Sequence, residues 1–136
     1  MPQRCALCEE DGGIVVWRDA HCRVVRPEVE GYPAFLRVVL GRHAAEMTDL
    51  EPAERDRLMR VVFATERVLR EVCRPDKVNL ASLGNQVPHL HWHVIPRHRD
   101  DPHFPEPVWG ARQRTGAART RVEDARLGAR LSELLG

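Results

Sequence analysis

Positions 89 to 95 read His89-Leu90-His91-Trp92-His93-Val94-Ile95, three histidines alternating with apolar residues. Successive side chains of a β-strand point to opposite faces, so this alternation puts all three imidazoles on one face and Leu90, Trp92 and Val94 on the other. Two residues of strand rise about 3.3 Å each, which spaces neighbouring imidazoles about 7 Å apart, a row suited to an extended anion such as a polyphosphate. Three imidazolium ions on one face would repel one another, so part of the row stays neutral near pH 7. A neutral imidazole is a nucleophile or a metal ligand, whereas an imidazolium is an acid or an anion clamp. Two plainer readings stand beside these: surface histidines on an edge strand, or a structural or sensory metal site built from two or three of them.

Cys5-Ala-Leu-Cys8 has the spacing at which two thiolates share one tetrahedral metal ion. The chain has no second CxxC, so histidine must supply the other half of such a site. A thioredoxin-type redox pair fits less well because no βαβ pattern follows, and two idle thiols are the remaining alternative. Cys22 falls in a β-rich run and Cys73 on a helical one, where both read as inert thiols.

The run Gly84-Asn85-Gln86-Val87-Pro88-His89-Leu90-His91-Trp92-His93-Val94-Ile95-Pro96-Arg97 resembles the signature of the histidine triad (HIT) superfamily, His-x-His-x-His followed by two apolar residues. The resemblance takes in Cys5-x-x-Cys8, the helix in mid-chain and the Pro-rich run ending in Trp109, about residues 5–110 in all. It implies a five-stranded antiparallel sheet with helical elements, usually a homodimer. The implied activity is hydrolysis or transfer at the α-phosphate of a nucleotide or dinucleotide, through a covalent nucleotidyl-histidine. On that pattern His91 is the nucleophile, with its other ring nitrogen donating to a backbone carbonyl, and His93 contacts the phosphate and assists the leaving group. Asn79, Asn85 and Gln86 join His93 as substrate-binding candidates. Asn85 and Gln86 depart from the Gln and the Ser or Thr that many relatives carry at these places. The acid that commonly holds the ribose hydroxyls falls near Arg26-Pro27-Glu28, which makes Glu28 the candidate. Some bacterial members join the Cys pair to a mid-chain histidine and the first triad histidine. Here those ligands are Cys5, Cys8, His43 and His89, a closed and therefore structural Zn²⁺ site. Two non-catalytic alternatives remain, a nucleotide-binding module and a zinc-binding structural or sensor protein.

Other elements must position these residues. Residues 14–17 and 22–26 are β-rich runs around a hairpin turn, and residues 35–40 form a third strand ended by Gly41. Glu51-Pro52-Ala53-Glu54 has proline where a first helical turn tolerates it and acids where the helix dipole favours them. Leu58, Val61, Val62, Thr65, Val68, Leu69 and Val72 then recur at helical spacing until Pro75. Residues 78–83 and 89–95 are two further strands joined by a Pro/Gly-marked turn, and a last helix is expected from Thr120, whose hydroxyl pairs with Glu123 as a capping box. The pattern is α+β: five strands, a main central helix and a C-terminal helix. Trp92 reads as core, and Trp109 as either pocket lining or packing. Arg97 and Arg99 read as surface arginines that can neutralise phosphate, and His21, His98 and His103 as exposed loop residues.

The 136 residues are 43% hydrophobic and 30% charged, as in a soluble globular protein, with one ordinary domain's length. A net charge of +1 argues against a basic nucleic-acid binder. No apolar run reaches the roughly 20 residues of a membrane span, and the first residues lack the apolar stretch of a secretory signal. The expected location is the cytoplasm, with four reduced cysteines. Residues 1–110 carry the HIT-like pattern. Residues 111–136 hold six Arg against Glu123, Asp124 and Glu133, a basic C-terminal extension with a partly helical pattern.

Overall fold

Asp19 closes the first hairpin by accepting hydrogen bonds on Oδ1 from the backbone N–H groups of His21 (2.8 Å) and Cys22 (2.9 Å). This turn joins β1 (Ile14–Arg18) to β2 (Cys22–Arg26), which pairs in turn with β3 (Leu36–Leu40). The computed structural model describes residues 4–136; residues 1–3, read above as part of a chain start without a leader, lie outside the described residues. A single α-helical turn, α1 (Ala6–Glu9), precedes the hairpin. The long helix α2 (Pro52–Cys73) starts with Pro52 in its first turn and a reciprocal cap between Glu51 and Glu54. It stops at Arg74, whose left-handed φ of 46° leads into Pro75. Then come β4 (Lys77–Ala81), β5 (His91–Arg97) and α3 (Asp124–Leu135).

The five strands form one antiparallel sheet in the order β1-β2-β3-β5-β4. The last strand in sequence inserts between β3 and β4, so the histidine strand is central rather than an edge. Helices α2 and α3 cover one face. Leu58, Val61, Val62 and Leu69 of α2 and Leu127 and Leu131 of α3 share a core with Val24, Val38, Leu90 and Val94, against which Trp92 also packs. Helix α3 approaches β1 closely, and a Cβ added at Gly128 would collide with the carbonyl oxygen of Val16. The α+β, five-stranded architecture is therefore the expected one, with the C-terminal helix seated in the central core. No helix among the described residues is long and apolar enough to cross a membrane.

Several boundaries move. The last strand starts at His91 and runs on to Arg97, because Pro96 still pairs with Val78 and Arg97 with Lys77. Helix α3 begins at Asp124, not Thr120; its first-turn acid is held by Arg26, so the Thr120 cap does not form. Arg97 is not a surface arginine. It is only 2% exposed, forked onto Asp101 four residues later. His103 is half-buried against Tyr32, its Nδ1 2.7 Å from the hydroxyl, and His98 is half-buried as well; His21 is exposed.

Candidate active site and metal centre

The face of the sheet away from α2 and α3 carries the histidines. Register places Val39 opposite His91 and Arg37 opposite His93 across β3 and β5. The N-terminal segment folds over this face: Leu7 packs on Val25 and Val39, while Arg23, buried in β2, donates to the carbonyls of Leu7 (2.7 Å), Glu10 (3.1 Å) and Asp11 (3.0 Å). Those bonds bring Cys5 and Cys8 to the start of the triad strand.

Cys5, Cys8, His43 and His89 converge there, with one ligand atom from each lying within 4.8 Å of all the others. His89 Nδ1 is 3.3 Å from Cys5 Sγ and 3.5 Å from Cys8 Sγ, and His43 Nδ1 is 3.5 Å from Cys8 Sγ. His89 is fully buried, and burial lowers its pKa, which favours the neutral imidazole a metal needs. Its Nε2 lies 2.7 Å from the carbonyl oxygen of Leu40. A carbonyl only accepts, so Nε2 carries the proton and Nδ1 presents its lone pair to the cluster. Four soft and borderline donors with an oriented ligand behind them can hold a metal ion.

Two residues on, the same device runs in reverse. His91 Nδ1 is 2.6 Å from the carbonyl oxygen of His89, so Nδ1 carries the proton and Nε2 is left as the free basic nitrogen. Adjacent triad histidines are thus held in opposite tautomers by two backbone carbonyls. His93 is buried beside His91, ring centroids 5.0 Å apart, and is packed edge-on by Phe35 (5.5 Å) and Trp109 (4.9 Å). The spacing is tighter than a bare strand repeat gives because the rings meet edge to face. Burial, with His91 and Arg37 nearby, pushes the His93 pKa down to about 4, so this imidazole is neutral. Its Nδ1 is buried without a partner among the described residues.

His91 and His93 line a cavity of about 410 Å³ with Arg37, Asn85, Gln86 and Trp109. Trp109 is 52% exposed and forms one wall. The loop residues Asn85 and Gln86 are therefore brought to the triad. Asn79 is not: it lies on β4, and its Oδ1 accepts from Arg97 Nη1 at 2.8 Å. Glu28 is tied at 3.0 Å to Arg26, which is itself forked onto Asp124.

A family model for the HIT domain matches residues 9–100. The chain belongs to the HIT family. Its fold follows that of a histidine triad protein from Bradyrhizobium japonicum at a TM-score of 0.76, with 30% identity and 98% of each chain covered. A histidine triad protein from Marinobacter aquaeolei gives 0.73 with 28% identity, covering 98% of this chain and 95% of that one. Among curated proteins, an AP-4-A phosphorylase of Mycobacterium tuberculosis is 30% identical over 109 residues. That match covers 76% of this chain, which spans little more than half, 56%, of the length of the relative.

Two features of this HIT site escaped the sequence reading. Arg37 was legible as a charge interrupting an apolar strand, Phe35-Leu36-Arg37-Val38-Val39-Leu40, at a position sharing a face with Phe35 and Val39. The family resemblance implies a backbone carbonyl behind His91, but that it is His89's, and that the Leu40 carbonyl turns His89 the other way, carries no sequence signal because every residue has a carbonyl.

Proposed function

We propose that this HIT protein is a nucleotide hydrolase or nucleotidyl transferase that acts at the α-phosphate of a dinucleoside polyphosphate or nucleoside phosphoramidate. The observation that carries this reading is the 2.6 Å hydrogen bond from His91 Nδ1–H to the His89 carbonyl, which in the neutral imidazole leaves the lone pair on Nε2, at the cavity. The Nε2 lone pair attacks phosphorus, a P–N bond forms, and the bond to the leaving group breaks with its electron pair departing on that group. The ring of the resulting nucleotidyl-His91 is positively charged, and the His89 carbonyl accepting from Nδ1–H stabilises it. Water then attacks phosphorus, the P–N electrons return to Nε2, and the water's surplus proton leaves to solvent as the nucleoside monophosphate is released. His93, neutral, offers one ring N–H to a phosphate oxygen, and the amides of Asn85 and Gln86 offer neutral donors from the loop. The name of the Mycobacterium tuberculosis relatives supports a dinucleoside polyphosphate among the substrates.

Zn²⁺ is the ion assigned to Cys5, Cys8, His43 and His89. Zn–S bonds of about 2.3 Å and Zn–N bonds of about 2.0–2.1 Å at tetrahedral angles put sulfur and nitrogen about 3.5 Å apart, which matches the 3.3 to 3.5 Å observed. Held by these four residues, the ion would be structural and would tie the N-terminal segment to the start of the triad strand. The reading includes a homodimer in the cytoplasm.

Mass spectrometry after rapid quench with a dinucleoside polyphosphate tests the reading. A nucleoside monophosphate increment on the peptide carrying His91, absent from His91→Ala, is expected. Equal turnover by the variant overturns it, and binding without turnover makes the protein a binding module.

A further inference from the structure

Four arginines of the sheet are wholly or half withdrawn from solvent, and their partners sort them. Arg26 is forked onto Asp124 at 2.7 and 3.2 Å, Arg97 onto Asp101 at 2.8 and 3.1 Å, and Arg23 donates to three backbone carbonyls. Arg37 has nothing comparable. Its one acceptor among the described residues is the Gly12 carbonyl, a long 3.5 Å from Nη1, and its Nε is buried with no partner. A guanidinium has five N–H donors, and withdrawing a cation from water without a counter-charge is unfavourable. Burial alone accounts for the lowering of its pKa, with no carboxylate holding it up. Glu10 lines the same cavity but is exposed and makes no ion pair with it. The side chain is nonetheless placed, its guanidinium 5.9 Å from the centre of the Phe35 ring, directly opposite His93.

We propose that Arg37 is the anion clamp of this cavity, binding non-bridging oxygens of the phosphate chain on the leaving-group side of the scissile bond. The loop that faces the triad offers only the uncharged amides of Asn85 and Gln86, so charge neutralisation falls to the strand. The position opposite His93 rather than His91 sets the side: the nucleophile's neighbour across the ladder is Val39, which offers no charge. A clamp there favours substrates in which further phosphates follow the scissile one over substrates that release an amine. The clamp rests on the nucleotide reading of the site for its substrate, but anion binding is measurable without turnover.

The test uses zinc-loaded protein and two readouts. Calorimetric binding of inorganic pyrophosphate should weaken roughly 10- to 100-fold in Arg37→Gln and in Arg37→Met, the loss expected for a charge-assisted fork. Arg37→Lys should fall between, keeping the charge without the fork. Melting curves matching the unsubstituted protein verify the fold, and Arg37→Met retains the apolar stem over Phe35. The kcat/KM of Arg37→Gln should fall more for a dinucleoside polyphosphate than for a nucleoside phosphoramidate. Unchanged pyrophosphate affinity in the uncharged variants, or no pyrophosphate binding by the unsubstituted protein, overturns the clamp; equal loss on both substrates overturns its selectivity. Pyrophosphate binding that depends on Arg37 in a protein that turns over no nucleotide would retain the clamp and remove the hydrolase reading.

Discussion

Two polar clusters occupy the same face of the sheet at opposite ends of β5, and they differ in whether their hydrogen bonds close. At one end Asp101 accepts from Arg97 Nε and Nη2, from the backbone N–H groups of His98, His103 and Phe104, and from the Tyr32 hydroxyl. Arg97 gives two further donors to Asn79 and the Glu106 carbonyl, so that each of its three nitrogens is hydrogen-bonded. At the other end, His93 Nδ1 and Arg37 Nε are buried without partners among the described residues, and His91 keeps a free ring nitrogen. A closed network gains rigidity and has nothing left to offer a ligand, whereas an open one leaves a desolvation cost for a ligand to relieve. The closed cluster holds the segment carrying Trp109 against the sheet, and that segment walls the open cluster.

Removing one group from each cluster should separate chemistry from stability. His91→Ala should lower turnover of a dinucleoside polyphosphate roughly 10⁴-fold, equivalent to about 5.5 kcal/mol in the barrier, with the melting temperature little changed; loss of the fold instead would make the open cluster structural. Asp101→Asn leaves Arg97 buried against an uncharged amide and should cost about 3–5 kcal/mol in denaturant unfolding. A loss below 1 kcal/mol would mean that the closed cluster does not hold the segment.

Acid should take the two clusters apart in sequence. The folded pKa of His93, about 4, lies below its ordinary 6.5, so its neutral burial contributes stability above pH 6.5 that is lost as pH falls towards 4. The contribution is on the order of 3 kcal/mol. Burial raises the Asp101 carboxyl, but the Arg97 fork and three backbone N–H groups outweigh it and hold the group well below its ordinary 3.8. Its contribution is therefore intact throughout that window and fades only below pH 3.8. Unfolding free energies measured across pH should show a smaller upper step in His93→Gln, the remainder belonging to His89 and His98, whose burial also lowers their pKa values, and an unchanged lower one; an upper step of undiminished size would assign it elsewhere.

The smallest effect sharpens the comparison by changing only exposure. Arg130 forks onto Glu71 at 2.8 and 3.1 Å, the same geometry that Arg97 makes with Asp101, but on the surface between α2 and α3. Water and salt screen such a pair, so Arg130→Ala should leave the melting temperature within experimental scatter. A drop comparable to that of Asp101→Asn would show that fork geometry, not burial, sets the strength.

The chemistry-bearing residues were readable because they are local in sequence. The alternation of His91 and His93 puts them on one face by the strand period alone, with His89 just before the strand's start, and the helical spacing from Leu58 to Val72 marks the element that covers the other face. Arg97 was misread because its partner, Asp101, lies beyond the strand's end, and only the fold of the following loop turns that carboxylate back. Asn79 and Gln86 looked alike as polar candidates, yet one is claimed by Arg97 while the other reaches the cavity.

By itself the sequence determined which side chains could act and on which face of their strand they stand, since the strand period follows from covalent geometry. Tertiary structure decided the rest. Insertion of β5 between β3 and β4 made the histidine strand central, set Arg37 opposite His93, and brought the Leu40 carbonyl to His89 Nε2. Those pairings join residues some fifty positions apart, and hydrogen bonds to backbone atoms are blind to residue type. His91 is oriented by a carbonyl only two residues back, as the family resemblance implies, whereas the tautomer of His89, and with it the division between metal ligand and nucleophile, exists only once the chain has folded.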